Sequence, residues 1–261
     1  MKIILVNEIN LPIVQQNSEP AVMALGFFDG VHKGHQEVIL AARKKARKNG
    51  LKLAVMSFFP HPKTVFSNEE VDYLMPMEKK AERFQSLGID LFYIVDFTKS
   101  FAALQPKQFV QQYLVGLQVQ YAVAGFDYTY GAKGAGTTAT IHSDSDCKII
   151  VDIVERFSIS GKKVSSTCIR EKLKRGYVEE VTALLGKPYS VQYSMKNGLH
   201  DYYTLPQCGE YYVTILSGKR AISQKVYVKN AEDIIFYHDL NIDDCSIYFH
   251  QRATQKYQEI S

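Results

Sequence analysis

The sequence predicts an α/β domain built on a parallel sheet, followed by a small antiparallel β module. Two observations carry that expectation. Before Pro188, short apolar runs alternate with helical patterns. The order strand, helix, strand, helix is that of a parallel sheet covered on both faces. After Pro188 the chain turns rich in Tyr, Val and Ile, in short alternating runs separated by turn residues. The change of character puts one domain at residues 1–187 and the β module at 188–261.

Taken in order, Ile3–Val6 is a first apolar run, and a polar link with Pro12 and Pro20 follows it. Ala21–Leu25 reads as a buried strand. It runs into Gly26-Phe-Phe-Asp-Gly-Val-His-Lys-Gly-His35, and then into a helix with Val38, Ile39, Ala42 and Ala46 on one face that stops near Gly50. Leu51–Phe58 is the next strand. Phe59-Pro-His-Pro62 after it is neither helix nor central strand, because of its prolines. Pro76 opens a helix that ends at Gly88, Asp90–Phe97 is β-prone, and Pro106 opens a helix with Phe109, Val110, Tyr113 and Leu114 on its face. Tyr121–Gly125 and Lys148–Val154 complete the strands. Ile169, Leu173, Val181, Leu184 and Leu185 belong to a helical pair broken at Gly176 and stopped at Gly186, with Pro188 behind it. The β module holds runs at Tyr211–Leu216, Lys225–Val228, Ile234–Tyr237 and Ser246–His250, with Asn197-Gly198 and Ser217-Gly218 as turns.

Composition narrows the function classes. With 46% hydrophobic and 22% charged residues, the 261-residue chain is of the soluble globular kind. A net charge of +4 suits anionic nucleotides. The densest basic run, Arg43-Lys-Lys-Ala-Arg-Lys48, fits the solvated face of a helix, so nucleic acid is not expected. Cys147, Cys168, Cys208 and Cys245 form no C-x-x-C pair, which argues against a zinc site and for a reducing, cytoplasmic setting. The N-terminal apolar run is too short for a signal peptide, and no stretch is long enough to span a membrane. Oligomeric state is left open.

The chemistry gathers at strand ends. In the Gly26–His35 stretch a strand passes into a helix, and His35 lies near the helix start, where orphan N–H groups and the helix dipole favour a phosphate. Gly26, Gly30 and Gly34 would let backbone approach a ligand, and His32 and His35 can each offer an imidazole N–H to a phosphate oxygen. Both histidines could instead be surface or capping residues; the three glycines and the helix start favour the phosphate reading. Ser165, Ser166 and Thr167 are helix-capping types, a role compatible with holding outer phosphates beside Arg170. Asp29, His61 and Asp127 read equally well as turn residues. Gly131-Ala-Lys-Gly-Ala-Gly136 lacks the ending of a P-loop and reads as a flexible loop. In a parallel sheet, ligands bind beyond the carboxyl ends of the strands. The Gly26–His35, Phe59–Pro62 and Gly125–Gly131 segments should therefore share one rim.

These residues carry a resemblance. Gly26-x-Phe28-Asp-Gly-Val-His-x-Gly-His35, Phe59-Pro-His-Pro62, Asp96-Phe-Thr98, Gly125-x-Asp127-Tyr-x-Tyr-Gly131, Ser165-Ser-Thr-x-Ile-Arg170 and Leu185-Gly-x-Pro-Tyr189 occur in that order. Together they make residues 21–186 resemble the adenylyltransferase module of prokaryotic bifunctional riboflavin kinase/FAD synthetases. The resemblance implies a Rossmann-like nucleotidylyltransferase fold and a reaction of ATP with FMN, with Mg²⁺, giving FAD and pyrophosphate. It implies His32 and His35 as catalytic residues. It implies Gly26, Phe28, Gly34, Ser165, Ser166, Thr167 and Arg170 around ATP, and Phe59, Pro60, His61, Pro62, Asp127 and Tyr128 around the flavin. It assigns no metal ligand. After Tyr189 the resemblance fades: the Pro-Thr-Ala-Asn string of the family's kinase module is absent, so a shortened β module without riboflavin kinase activity is expected. Two other classes stay open at this point: an adenylyltransferase for another phosphate acceptor, and a flavin-binding regulatory protein that has lost catalysis.

Overall fold

Ala21–Leu25 is buried along its whole length, and the first sheet grows outward from it. The structure, a computed structural model, describes residues 1–67, 71, 73–159, 161–238 and 240–253. Six strands form this sheet: β1 (Lys2–Val6), β2 (Ala21–Leu25), β3 (Lys52–Phe59), β4 (Leu91–Asp96), β5 (Val119–Gly125) and β6 (Ile150–Val154). Their spatial order is β1-β4-β3-β2-β5-β6, and every pairing is parallel. The chain steps from β2 outward to β3 and β4, then returns to place β5 on the other side of β2. That reversal between β2 and β5 is the topological switch point, where doubly wound sheets of the Rossmann type open a crevice.

Alternation along the strands buries both faces. Met23, Leu25, Ala54, Met56 and Tyr93 share one core cluster with Leu11, Phe101, Phe109, Tyr113 and Leu114. Val38, Ile39, Ala42 and Ala46 of the helix Lys33–Asn49 are also buried, and that helix packs against β2, β3 and β5. It ends where Gly50 takes a left-handed φ of 64°. The helix Met77–Ser86 turns Lys80, Ala81 and Phe84 inward, with the Phe84 ring edge-on to Phe92 of β4 at 4.8 Å. Residues 11–16, expected as part of a polar link, form a short helix. Pro12 fits because a helix's first turn needs no N–H from it.

The second unit comprises the described residues of Asp72–Pro76 and Ile159–Ser261, whereas Met1–Val71 and Met77–Ser158 form the first. Its antiparallel sheet contains β7 (Tyr189–Ser194), β8 (Gly198–Leu199), β9 (Gly209–Ser217), β10 (Arg220–Val228), β11 (Ile234–Phe236) and β12 (Asp244–Arg252), in the order β8-β7-β12-β9-β10-β11. The helices Ser166–Lys174 and Val178–Leu185, which the sequence reading groups with the first domain, cluster here, because the second packs on β12 and β7. This division therefore falls near residue 159, ahead of the change of character at Pro188.

Arg252 organises the unit. Its guanidinium donates to the Arg175 carbonyl (3.1 Å), the Gln207 side-chain oxygen (2.9 Å) and the Cys208 carbonyl (3.1 Å). Its planar fork supplies donors in several directions at once. The turn between the two helices, at Gly176, passes directly over it.

Candidate active site

The carboxyl ends of β2, β3, β4 and β5 lie on one rim, as parallel pairing requires. Beyond β2 the backbone does unusual things. Phe28 has φ 56°, Gly30 φ 74° and Val31 φ 42°. A β-branched residue in that left-handed region is a genuine outlier, of the kind that persists where its surroundings impose it. Two of the three glycines also make room for the loop's own rings. A Cβ on Gly26 would stand 3.0 Å from the Phe28 ring, and one on Gly34 would stand 3.3 Å from the His32 ring. Gly30 supplies a positive φ in the turn.

His32 then caps the helix Lys33–Asn49. The His35 backbone N–H donates to His32 Nδ1 at 3.2 Å, so that nitrogen carries a lone pair and the proton belongs on Nε2. The two imidazoles stack, with centroids 3.5 Å apart and planes 17° from parallel. His35 Nδ1 is buried and has no hydrogen-bond partner. Burial, His32 and Lys80 hold the His35 imidazole well below its ordinary value. A proton on Nδ1 would be buried without an acceptor, so His35 is a neutral ring whose N–H is Nε2. The pair thus sets two stacked imidazoles, each with its proton on Nε2, at the start of a long helix.

Beneath this loop lies a residue that no sequence pattern singled out. Lys80 is 1% exposed. Its Nζ donates to the Phe27 carbonyl (3.0 Å) and to Ser57 Oγ (3.3 Å), and it sits 4.7 Å from the centre of the Phe27 ring. Ser57 Oγ donates to the same carbonyl at 2.8 Å. Burial pulls the Lys80 ammonium down to about 8, opposed by the nearby charge of buried Asp29.

Phe27 links the loop to an aromatic cleft of about 790 Å³ along the same rim. Its lining includes Phe58, His61, Pro62, Phe66, Phe97, Asp127, Tyr128 and Tyr130. His61 follows the cis Phe59–Pro60 bond, accepts from the Lys63 N–H at 3.1 Å and stands edge-on to Phe27 at 4.6 Å. Phe59 and Pro60 are half-buried at the end of β3 and are not part of the lining. Asp127 and Tyr128 follow β5, and burial pushes the Tyr128 hydroxyl upward, so it stays protonated. The volume suits a drug-sized ligand, and the lining is mainly apolar with a few polar groups.

The glycine-rich 131–136 loop is ordered by packing. Thr129–Tyr130 pairs with Gly136–Thr137, and Gly136 lies flat against the Tyr130 ring. Tyr130 donates to Asp144 at 2.6 Å.

In the second unit, Ser165 caps the helix Ser166–Lys174 by accepting from the Cys168 N–H at 3.2 Å. Ser166 and Thr167 lie in its first turn, and Arg170 follows Ser166 by four residues, so the two share a face. Among the described residues, no group of three or more His, Cys, Asp or Glu side chains could hold a metal ion. Among the described residues no helix is long and apolar enough to cross a membrane.

Comparison with known proteins fits this geometry. The sequence model of the FAD synthetase family matches residues 14–168. The bifunctional riboflavin kinase/FMN adenylyltransferase of Bacillus subtilis is 41% identical over 232 residues, covering 82% of this chain and 72% of its own length. An FAD synthetase of Listeria monocytogenes is 30% identical over 211 residues, covering 75% of this chain and 82% of its own length. A crystal structure described as a macrolide-efflux protein from Streptococcus pneumoniae superposes with a TM-score of 0.83 at 27% identity, over 97% of this chain and 100% of that one. A family match across β2 to β6 and the histidine loop, with relatives aligned over most of the chain, leads to one conclusion: the chain belongs to the FAD synthetase family of enzymes.

Proposed function

We propose that this protein transfers the adenylyl group of ATP to FMN, forming FAD and pyrophosphate. The observation that carries the reading is the neutral, stacked His32–His35 pair at a helix start beyond the sheet's switch point, on the same loop as an aromatic cleft. An FMN phosphate oxygen attacks the α-phosphorus of ATP, a new P–O bond forms, and the bond to the β-phosphate oxygen breaks. The attacking oxygen is already anionic, so no general base is needed. The work left to the protein is positioning and charge stabilisation. His32 and His35 donate through Nε2 to phosphate oxygens as negative charge shifts onto them. Their neutrality suits this role, since no proton has to be taken up or lost.

In this reading Gly26, Phe28 and Gly34 shape the ATP side of the loop. Ser165, Ser166, Thr167 and Arg170 hold the outer phosphates, Arg170 through its two-pronged geometry. Phe59, Pro60, His61, Pro62, Asp127 and Tyr128 serve the flavin end. The width and apolar character of the cleft favour a flat ring system over a small phosphate acceptor. Mg²⁺ enters with ATP as part of the substrate. The protein works in the cytoplasm on small molecules, and its second unit does not phosphorylate riboflavin.

The test is to incubate the purified chain with Mg²⁺–ATP and either FMN or riboflavin, then separate the flavins by chromatography. FAD should appear from FMN, and riboflavin should yield no FMN. Tight FMN binding without FAD would refute the catalytic reading, and catalytic production of FMN from riboflavin would refute the statement about the second unit.

A further inference from the structure

The loop that carries His32 and His35 holds three residues at positive φ, and two of them, Phe28 and Val31, are not glycine. Such residues are strained and persist only where their surroundings impose the conformation. Something must hold the loop. The Phe27 carbonyl, immediately before Phe28, accepts from both Lys80 Nζ and Ser57 Oγ. Lys80 also contacts Ser57, so ammonium, hydroxyl and carbonyl form a closed triangle under the turn. A lysine 1% exposed in the middle of a ten-residue helix is an expensive choice for packing alone. A methionine would fill that volume without a desolvation cost.

We propose that Lys80 is a positioning residue of the transfer site: its ammonium clamps the Phe27 carbonyl and sets a fixed positive charge behind the His32–His35 pair. The proposal rests on the adenylyl-transfer reading above for the reaction, but not for the interaction itself. The clamp fixes where the turn enters the helix, and with it the point where His32 caps and His35 stacks. The charge acts on protonation. His35 is disfavoured as an imidazolium first by burial, then by His32 and by the Lys80 charge. Among the described residues, the ionisable groups around this spot include Asp29 from the turn, His32 and His35 from the helix start, Lys80 from the helix Met77–Ser86 and His61, edge-on to the Phe27 ring; β3 contributes the Ser57 hydroxyl. Asp29 supports the lysine's charge, so the cation persists near neutral pH. Lys80 therefore disfavours a proton on His35 and holds the histidine loop in register without touching substrate.

The test compares the wild-type chain with Lys80→Met, Lys80→Gln and Lys80→Arg. The His35 imidazole is followed by NMR titration, assigned by loss of its signal in His35→Gln, and FAD formation from FMN and Mg²⁺–ATP is followed by steady-state kinetics. In the two neutral variants the His35 titration should move to higher pH, and kcat should fall on the order of 10²-fold, the scale of a misplaced catalytic group, with KM for FMN near wild type. Lys80→Arg should return the titration toward wild type. An unchanged His35 titration in folded Lys80→Met, or a change in KM alone, would overturn the proposal. Should the neutral variants not fold, the wild-type protein still decides, because a His35 that titrates at or above 6.5 contradicts the arrangement. If the wild-type chain makes no FAD, the reading of the reaction fails while the titration still reports on Lys80.

Discussion

The proposed mechanism gives His32 two jobs, one on each ring nitrogen, and substitutions can separate them. Nδ1 caps the helix by accepting from the His35 N–H, and in the proposed mechanism Nε2 donates to a phosphate oxygen. Asn also caps well, because its side-chain oxygen can stand where Nδ1 stands, but it has no donor where Nε2 is. Ala removes both. Loss of a cap costs about 1 kcal/mol, which in a chain of this size lowers Tm by roughly 2–4 °C. Loss of one donor to the transition state costs about 2.7–4 kcal/mol of activation free energy, or 10²–10³ in kcat. His32→Asn should therefore melt within about a degree of wild type and yet lose about 10²–10³ in kcat. His32→Ala should lose the same rate and melt a few degrees lower. Steady-state FAD formation and a thermal melt on the same preparations suffice. A His32→Asn enzyme with normal kcat and raised KM would assign His32 to ground-state binding and refute the argument.

Other expectations follow from the same geometry. The unfolded chain binds a proton at His35 near the ordinary value of 6.5, while the folded chain resists it to well below that. Stability from this group is thus full above 6.5 and is lost as pH falls from there toward the folded value; Tm should drop on acidification below 6.5, and His35→Gln should flatten the slope. Gly50→Ala and Gly176→Ala share a positive φ, but only at Gly176 would the Cβ collide, 2.6 Å from Tyr211 Oη and 2.7 Å from Arg252 Nη1. Gly50→Ala should cost about 1–2 kcal/mol, and Gly176→Ala should exceed it by a further 1–3 kcal/mol; equal denaturant midpoints would contradict the packing. Arg170→Lys keeps the charge but loses the fork, so KM for ATP should rise while FMN affinity holds; an unaltered KM would remove Arg170 from the ATP site.

The parallel sheet was legible because its strands are buried on both faces and read as continuous apolar runs, such as Ala21–Leu25 and Lys52–Phe59. The rim followed from parallel pairing alone. Helix ends were legible where Gly50 and Gly186 adopt left-handed caps. Lys80 was not, because a lysine in a charged helix reads as solvated, and only tertiary packing sets it against Phe27 and Ser57. The loop glycines make a related point: sequence shows that space is needed, and the structure shows that a Cβ on Gly26, Gly34 or Gly136 would meet the Phe28, His32 or Tyr130 ring. The helical pair at 166–185 was assigned by its neighbours in sequence, whereas contacts with β7 and β12 group it with the sheet that follows.

The place of β12 has a consequence for biosynthesis. It is the last described strand in the chain, yet it lies inside the second sheet, between β7 and β9, and ends in the Arg252 hub. Ribosomes add about 5–20 residues per second, so β7 and β9 wait several seconds after leaving the exit tunnel before their shared partner arrives. Until then each presents an unpaired edge of the sort that seeks other chains. A premature stop ahead of Asp244 would make that interval permanent. Such a product would carry an intact first sheet on an insoluble partner, a loss of protein that a kinetic assay of the soluble fraction would mistake for a loss of activity.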